Sequence, residues 1–156
     1  YCGVDTHNVN SYVFGEHGDS SFVPWSLANI GSVPVEKYAD AVKDLNLPSF
    51  DKDDVEDYIR KSGGIIIAAK NCTNYAIGVT TATLCEALMY KTDTVLTIST
   101  MMNGEYGIND VCLSIPAVVS RNGIASRIIA PLTDDEIAKL RHSADCLKDV
   151  IKQLTF

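Results

Sequence analysis

Residues 111–136 read VCLSIPAVVSRNGIASRIIAPLTDDE, and the fold class follows from them. Asn122-Gly123 is a dipeptide typical of a tight turn between antiparallel strands, because both of its positions readily adopt positive φ. The apolar runs on either side of it, residues 111–120 and 124–130, are therefore predicted to pair as a β-hairpin. This part of the chain is thus predicted to be antiparallel β-structure.

A further strand is predicted upstream of this hairpin. Residues 95–99, VLTIS, form a β-prone run, and Asn103-Gly104 marks a turn that follows it. Within the hairpin, Pro116 lacks an amide hydrogen for strand pairing, so we expect an edge strand or a bulge at that position.

Downstream of the hairpin, Thr133 opens a predicted helix. Thr133 and Glu136 have the spacing of a capping box, in which each side chain hydrogen-bonds the other residue's backbone amide. The apolar residues that follow recur every three or four positions and therefore lie on one helix face. They are Ile137, Leu140, Ala144, Leu147, Ile151 and Leu154.

Two more helices are predicted in the middle of the chain. Asp51 can cap the first of them by accepting hydrogen bonds from its opening amides. Gly63-Gly64 lies inside this helix and predicts a kink or a close approach of another helix. The second helix follows Thr73, whose hydroxyl group could act as its N-cap. Its apolar positions recur at three- and four-residue steps and predict one apolar face, formed by Ile77, Thr81, Leu84 and Leu88.

The order of these elements does not alternate strand with helix. It therefore indicates an α+β fold, with antiparallel sheets and long helices, in one domain spanning residues 1–156. No Gly-x-Gly-x-x-Gly or phosphate-loop sequence occurs, so the chain shows no nucleotide-binding site of its own.

Composition argues against several classes of function. Lys and Arg number 13 and Asp and Glu 20, and the net charge of −7 argues against nucleic-acid or anionic-membrane binding. No apolar run approaches the roughly 20 residues of a membrane span. Five widely spaced cysteines are interpreted as small core residues in a reducing compartment, which favours the cytoplasm. The chain starts with neither Met nor a leader-like segment, so we expect it to be a fragment.

The segment GEHGDSS, residues 15–21, follows a predicted strand at residues 9–14 and is the main candidate for chemistry. Glycines beside His17 would allow the loop to present an imidazole, which exchanges protons near neutral pH, to a small ligand. Spacing alone leaves open that His17 only hydrogen-bonds within a surface loop. A metal site of Glu16, His17 and Asp19 is less favoured, because adjacent loop residues rarely all point inward.

Residues 9–26, VNSYVFGEHGDSSFVPWS, resemble the catalytic-loop segment of the lactate/malate dehydrogenase family, in its L-lactate dehydrogenase branch. Three later segments match that family in the same order: 71–78 (NCTNYAIG), 99–108 (STMMNGEYGI) and 114–123 (SIPAVVSRNG). The last helix also matches, so the resemblance covers nearly the whole chain. Several ordered segments are more specific than one histidine loop.

The resemblance implies roles for three residues. His17 would be the acid/base, giving a proton to the carbonyl of pyruvate while hydride comes from NADH, and accepting one from L-lactate in reverse. Thr73 would line the substrate pocket near the carboxylate and methyl ends. Ile77 would form an apolar wall beside the nicotinamide of NAD. No metal is implied.

The resemblance is limited to the C-terminal substrate domain of these enzymes. The N-terminal Rossmann domain that binds NAD, the carboxylate that orients the histidine and the arginines that bind the substrate would all lie upstream. We therefore expect the isolated chain to be inactive, and the whole protein to be a cytoplasmic homo-oligomer, as the usually tetrameric family implies. Asn10 stands where some bacterial members carry a histidine, which argues against activation by fructose 1,6-bisphosphate.

Two other interpretations remain open from the sequence. The protein could prefer another L-2-hydroxyacid, as hydroxyisocaproate-type or malate dehydrogenases do, because the discriminating lid residue lies upstream. The segment around Thr73 resembles the lactate type more than the malate type. Alternatively, the chain could be a non-catalytic oligomerisation fragment, although the intact His17 loop argues against this.

Overall fold

The computed structural model of the protein describes residues 2–48, 51–90 and 92–154. The described part of the chain contains two three-stranded antiparallel sheets, ordered β1-β2-β3 and β4-β5-β6, together with long helices, which confirms the α+β class. The elements are β1 (Val9–Asn10), β2 (Asn29–Ile30), β3 (Val33–Pro34), α1 (Val35–Ala41), α2 (Lys52–Lys70), α3 (Tyr75–Met89), β4 (Thr94–Asn103), β5 (Asn109–Ser120), β6 (Gly123–Arg127) and α4 (Asp134–Lys152).

The predicted hairpin is confirmed as β5 and β6. Its turn closes between Ser120 and Gly123, and Gly123 adopts a φ of +97°, a conformation that glycine reaches without strain. On its other side β5 pairs with β4, which is longer than the predicted strand at residues 95–99. The hairpin is therefore part of a three-stranded sheet with β5 at its centre.

The prediction that Pro116 marks an edge strand is wrong, because Pro116 lies in the central strand β5. Its carbonyl accepts a hydrogen bond of 2.9 Å from the amide of Ile128. The amide and carbonyl of a strand residue face the same neighbour, so the missing amide hydrogen faces the side where β6 has already ended at Arg127. The pairing irregularity lies farther along, between Val118 and Val119.

Helix α4 covers one face of this sheet. The predicted capping box is present: Thr133 Oγ1 accepts from the amide of Glu136, and Glu136 Oε2 accepts from the amide of Thr133. The predicted apolar face is buried at Leu140 and Ala144, whereas Ile151, in the last turn, is exposed. The buried cluster between helix and sheet consists of Phe14, Phe22, Met102, Ile108, Val111, Leu113, Ile115, Leu140 and Ala144.

Helix α2 begins as predicted, since Asp51 accepts hydrogen bonds from the amides of Asp53 and Asp54. It then passes through Gly63-Gly64 as one continuous helix. A Cβ added at either glycine would meet no atom within 4 Å. The predicted close approach of another helix is therefore wrong for the described chain, and the glycines do not interrupt α2.

Helix α3 begins at Tyr75 with Asn74 as its N-cap, so the expectation that Thr73 caps it is wrong. Its apolar residues are mostly exposed, and Ala87 is its one buried residue in the described structure. The predicted apolar face of α3 is thus mostly exposed in the described part of the chain.

The interpretation of the cysteines as core residues is wrong. Cys72, Cys85 and Cys112 are exposed, and Cys2 and Cys146 are half-buried. The burial of the cysteines therefore gives no support for a reducing compartment. Within residues 2–48, 51–90 and 92–154, no helix is both long and apolar enough to cross a membrane.

Candidate functional site

Residues 15–21 form a loop, as predicted, whose two ends are joined. Phe14 and Phe22 exchange two backbone hydrogen bonds of 2.9 and 3.1 Å. Both rings are buried and meet edge to face, with centroids 6.3 Å apart. The predicted strand at residues 9–14 is shorter than expected, because β1 ends at Asn10 and Phe14 pairs only as an isolated bridge across the loop.

The first residue of the loop is also joined to the central strand. The amide of Gly15 donates to the carbonyl of Ser114 over 3.2 Å, and the amide of Ser114 donates back over 2.8 Å. Gly15 has a φ of +96°, and a Cβ added there would lie 2.5 Å from Ser143 Oγ on α4. Only glycine fits at this point, where the loop, β5 and α4 meet.

Side-chain hydrogen bonds hold the interior of the loop. The amide of Glu16 donates to Ser143 Oγ over 2.7 Å, and Ser143 is fully buried. The amide and hydroxyl of Ser20 donate to Glu16 Oε1 over 3.2 and 2.7 Å. The hydroxyl oxygens of Ser20 and Ser143 lie 2.9 Å apart. The residues on both sides of His17 are thus tied to α4.

A second anchor comes from α2. Arg60 Nη1 donates to the carbonyl of Ser21 over 3.2 Å and lies 3.3 Å from the carboxylate of Glu56. The buried Glu56 also accepts from Trp25 Nε1 over 2.8 Å, and Lys139 Nζ lies 3.7 Å away. Burying a carboxylate is costly unless it is paired and hydrogen-bonded, as Glu56 is here. The cluster connects the end of the loop to α2 and α4.

Glu136 of α4 holds the segment that follows the loop. Its carboxylate accepts from the amide and the hydroxyl of Ser26 over 3.0 and 2.6 Å. Burial by itself would raise the pKa of Glu136, but hydrogen bonds from Ser26 and Thr133 outweigh burial and lower the pKa below its ordinary value. Because the folded pKa is depressed, this stabilisation is present above the ordinary pKa and is lost as the pH falls through the folded pKa.

His17 is exposed at the tip of this anchored loop and lines two adjoining clefts. The first has a volume of about 760 Å³ and is lined by residues that include His17, Asp19, Arg60, Gly63, Thr80 and Thr97. The second has a volume of about 460 Å³ and is lined by residues that include His17, Ser99, Met101, Cys112, Leu147 and Ile151. The imidazole therefore lies where a small ligand could reach it.

The structure does not bring the other two predicted site residues into these clefts. Thr73 is exposed just before α3, and Ile77 is exposed in the first turn of that helix. The residue of α3 that lines the first cleft is Thr80, one turn beyond Ile77. Helix α3 thus reaches the candidate site at Thr80, whereas Thr73 and Ile77 line neither of the two clefts.

No charged partner holds the ring of His17 within the residues that the structure describes. Asp19 lines the same cleft but makes no hydrogen bond to the imidazole there. In the same described ranges, no group of three or more His, Cys, Asp or Glu side chains could hold a metal ion. The described site therefore consists of an exposed imidazole on a well-anchored loop, without an orienting carboxylate among the described residues.

Sequence reasoning missed Ser143 and gave Arg60 no role. A signal for Ser143 was present, because it is a polar residue next to Ala144 on the otherwise apolar, buried face of α4. A polar group on a buried face must find a partner. The identity of that partner could not be read from the sequence, because Glu16 and Ser143 are separated by 127 positions.

Comparison with protein families shows one match over almost the whole chain. The family model described as lactate/malate dehydrogenase, alpha/beta C-terminal domain, matches residues 1–155. The L-lactate dehydrogenase 2 of Clostridium acetobutylicum is 42% identical over 151 residues, which are 97% of this chain and 47% of that protein. The L-lactate dehydrogenase of Thermoanaerobacterium saccharolyticum is 38% identical over 154 residues, 99% of this chain and 49% of that protein.

Solved structures show the same relationship. The minor L-lactate dehydrogenase of Enterococcus mundtii, in a ligand-bound form, superposes with a TM-score of 0.87 at 33% identity. The superposition covers 98% of this chain and 48% of that one. The L-lactate dehydrogenase of Clostridium thermocellum gives a TM-score of 0.85 at 34% identity, over 99% of this chain and 49% of that one. The chain therefore spans about half the length of the relatives it matches.

Proposed function

The chain belongs to the lactate/malate dehydrogenase family, as its C-terminal α/β domain, and we propose that it supplies the substrate-binding half of an NAD-dependent L-lactate dehydrogenase. Such an enzyme interconverts pyruvate and L-lactate. The observation that carries the proposal is the placement of His17 on a loop anchored at both ends and open to two clefts. An imidazole held in this way can meet a small substrate in a defined position.

In this proposal, His17 holds and transfers the proton. Protonated His17 donates from a ring nitrogen to the carbonyl oxygen of pyruvate, and the neutral ring takes a proton from the hydroxyl group of L-lactate. When bound, the NAD cofactor supplies the hydride to the carbon that bears this oxygen, or accepts it from that carbon in the reverse direction. Hydrogen bonds restrain the loop backbone on both sides of His17, so the point from which the imidazole extends is fixed.

The residues of the chain fit one part of the cofactor. Ile77, 64% exposed, presents an apolar side chain in the first turn of α3, which suits the wall proposed for the nicotinamide ring. The sequence has no glycine-rich phosphate loop for the rest of NAD. In the proposal, an N-terminal Rossmann domain binds most of the cofactor, and Ile77 only borders its ring.

The exposed apolar surface of α2 and α3 supports the proposal that another protein segment packs against this chain. Helix α2 from Tyr58 onward and most of α3 carry large apolar side chains that are exposed in the described structure. They include Tyr58, Ile65, Ile66, Ile67, Tyr75, Ile77, Val79 and Met89. Contiguous exposed apolar surface is typical of an interaction site. The proposal assigns it to the N-terminal half and to neighbouring subunits of a cytoplasmic homo-oligomer, a tetramer by family resemblance.

Pyruvate is expected to rank first among 2-oxo acids in the intact protein, and Thr73→Gly is expected to shift preference toward 2-oxoisocaproate. Removing the Thr73 side chain would enlarge the pocket, and one methylene in such a pocket changes discrimination by about 10- to 200-fold. Thr73 precedes the N-cap of α3, so glycine there leaves the helix uninterrupted. The measurement is kcat/KM for NADH oxidation with each substrate.

Thr83→Ala serves as the control for this experiment. Thr83 is an exposed residue of α3 whose hydroxyl donates to the carbonyl of Val79 within the same helix. It is expected to leave the substrate ranking unchanged. An unchanged ranking in Thr73→Gly would show that Thr73 does not line the pocket.

The same substrate series separates the alternatives. A wild-type preference for oxaloacetate would identify a malate dehydrogenase, and a preference for 2-oxoisocaproate a hydroxyisocaproate-type enzyme. Absence of turnover with every 2-oxo acid, in an intact and folded protein, would favour a non-catalytic oligomerisation role.

A further inference from the structure

We propose that Ser143 is the positioning residue of the histidine loop: from the buried face of α4, its hydroxyl group fixes the backbone next to His17. The inference rests on the proposed function, because it concerns the group that delivers the proton to pyruvate. Ser143 does not touch the substrate clefts, so its role is exerted through Glu16.

The hydrogen bonds around Ser143 form a closed ring. The amide of Glu16 donates to Ser143 Oγ over 2.7 Å. Ser20 carries one hydroxyl hydrogen, and the carboxylate of Glu16, 2.7 Å away, can only accept. The 2.9 Å contact between the two hydroxyl oxygens must therefore use the hydrogen of Ser143. The ring runs from the Glu16 amide through Ser143 and Ser20 to the Glu16 carboxylate.

Ser143 differs in this respect from other hydroxyl residues in the helices. The hydroxyl groups of Ser62, Thr81 and Thr83 donate to the carbonyl four residues earlier in their own helix. Such bonds are the usual local solution for a hydroxyl side chain in a helix. The Ser143 hydroxyl group instead accepts from the amide of Glu16 in the loop, 127 positions earlier in the sequence. Its hydrogen bonds therefore link two elements and do not merely satisfy a helix.

Core packing around Ser143 fixes the position of this ring of hydrogen bonds. Ser143 is fully buried, and its helix neighbours Leu140 and Ala144 belong to the core cluster. A hydroxyl group in such a close-packed environment cannot shift without moving α4. The loop, in contrast, has exposed residues at His17 and Gly18 and would otherwise be free to move.

Gly15 provides a second, independent observation. Its backbone lies so close to α4 that an added Cβ would be 2.5 Å from Ser143 Oγ and 3.2 Å from Ser143 Cβ. The start of the loop is thus in direct contact with Ser143, two residues before His17. Position 143 therefore needs a small side chain that can both accept and donate a hydrogen bond, and serine meets these requirements.

Ser143→Ala in the intact protein tests the inference. The variant removes both the acceptor of the Glu16 amide and the donor to Ser20. A displacement of a catalytic group by about 1 Å costs on the order of 100-fold in rate. We expect kcat for pyruvate reduction to fall by about 10- to 100-fold, while KM for NADH stays unchanged. We also expect faster amide hydrogen exchange in peptides covering residues 15–21.

Two further variants separate positioning from stability. Ile30→Val weakens the separate core cluster of Ala28, Ile30, Val35 and Tyr38, away from Ser143, and it should lower the unfolding midpoint while leaving kcat per folded molecule and amide exchange of the loop unchanged. Ser20→Ala, at a half-buried position of the loop, removes the two contacts of the Ser20 hydroxyl group but keeps the hydrogen bond from the Glu16 amide to Ser143. It should cause an intermediate fall in kcat even if Ser143→Ala does not fold.

The possible outcomes distinguish this inference from the proposed function. If Ser143→Ala behaves like Ile30→Val, with normal kcat and normal exchange at residues 15–21, the positioning role is overturned while lactate dehydrogenase activity stands. If Ser20→Ala also leaves kcat and exchange unchanged, the ring has no role in the loop. If the wild-type protein fails to reduce pyruvate, the proposed function is wrong. Amide exchange of residues 15–21 in Ser143→Ala still shows whether the ring of hydrogen bonds fixes the loop.

Discussion

His17→Asn in the intact protein is expected to lower kcat for pyruvate reduction by about 100- to 10,000-fold, the range that proton transfer by a positioned side chain contributes. Asparagine is polar and of similar size, but it cannot carry a proton to the carbonyl oxygen. His17 is exposed, and no hydrogen bond to its ring is present in the described structure. The substitution should therefore remove the chemistry and leave the fold and the affinity for NADH nearly unchanged.

His142→Asn is the matched control for this experiment. His142 is also exposed, and in the described structure its ring has one hydrogen-bond partner, the thiol of Cys146 at 3.7 Å. Its substitution is expected to leave kcat unchanged. A His17→Asn enzyme that keeps most of its turnover, with NADH affinity intact, would show that another group supplies the proton.

Gly15→Ala is expected to destabilise the protein by about 2–6 kcal/mol and to abolish turnover of the folded fraction. A non-glycine residue at a φ of +96° is strained, which costs about 1–3 kcal/mol. The new Cβ would also lie 2.5 Å from Ser143 Oγ, and overpacking of this kind costs about 1–3 kcal/mol more. The measurement is the free energy of unfolding in a denaturant titration.

Gly123→Ala separates these two contributions. Gly123 has a φ of +97°, almost the same as that of Gly15, but a Cβ added there would meet no atom within 4 Å. Its substitution should therefore show the strain alone, and turnover should be retained. Equal losses of stability in the two variants would mean that the close contact between Gly15 and Ser143 does not matter.

The parts of the fold that could be predicted depend on local signals. Asn122-Gly123 is sufficient for a hairpin turn, and the spacing of Thr133 and Glu136 is sufficient for a capping box. Both signals act within four residues, so distant parts of the chain have little influence on them. The prediction for Pro116 failed because a proline fits in this central strand only where the neighbouring strand β6 has ended, and local sequence does not show where that is.

The parts that could not be predicted depend on contacts between distant segments. The apolar periodicity of α3 predicted a buried face, yet residues such as Ile77 are exposed. This is understandable if the face is covered by protein that lies outside this chain. The loop could be located from its glycines, but its anchors Ser143 and Arg60 lie 127 and 39 positions from their partners. Sequence spacing carries no record of such pairs.

The expected inactivity of the isolated chain follows from what surrounds His17. No carboxylate is hydrogen-bonded to its ring in the described residues, and Arg60 of the same cleft is already bound to Glu56 and to the carbonyl of Ser21. In the proposed enzyme, we therefore expect the groups that stabilise the protonated imidazole and bind the substrate carboxylate to come from outside the described residues.

The most informative measurement is the oxidation of NADH in the presence of pyruvate, made in parallel on the intact protein and on the isolated 156-residue chain. If this chain supplies only the substrate-binding half of the site, the intact protein turns over and the isolated chain does not. Turnover by the isolated chain, or its absence from the folded, intact protein with every 2-oxo acid, would contradict that view.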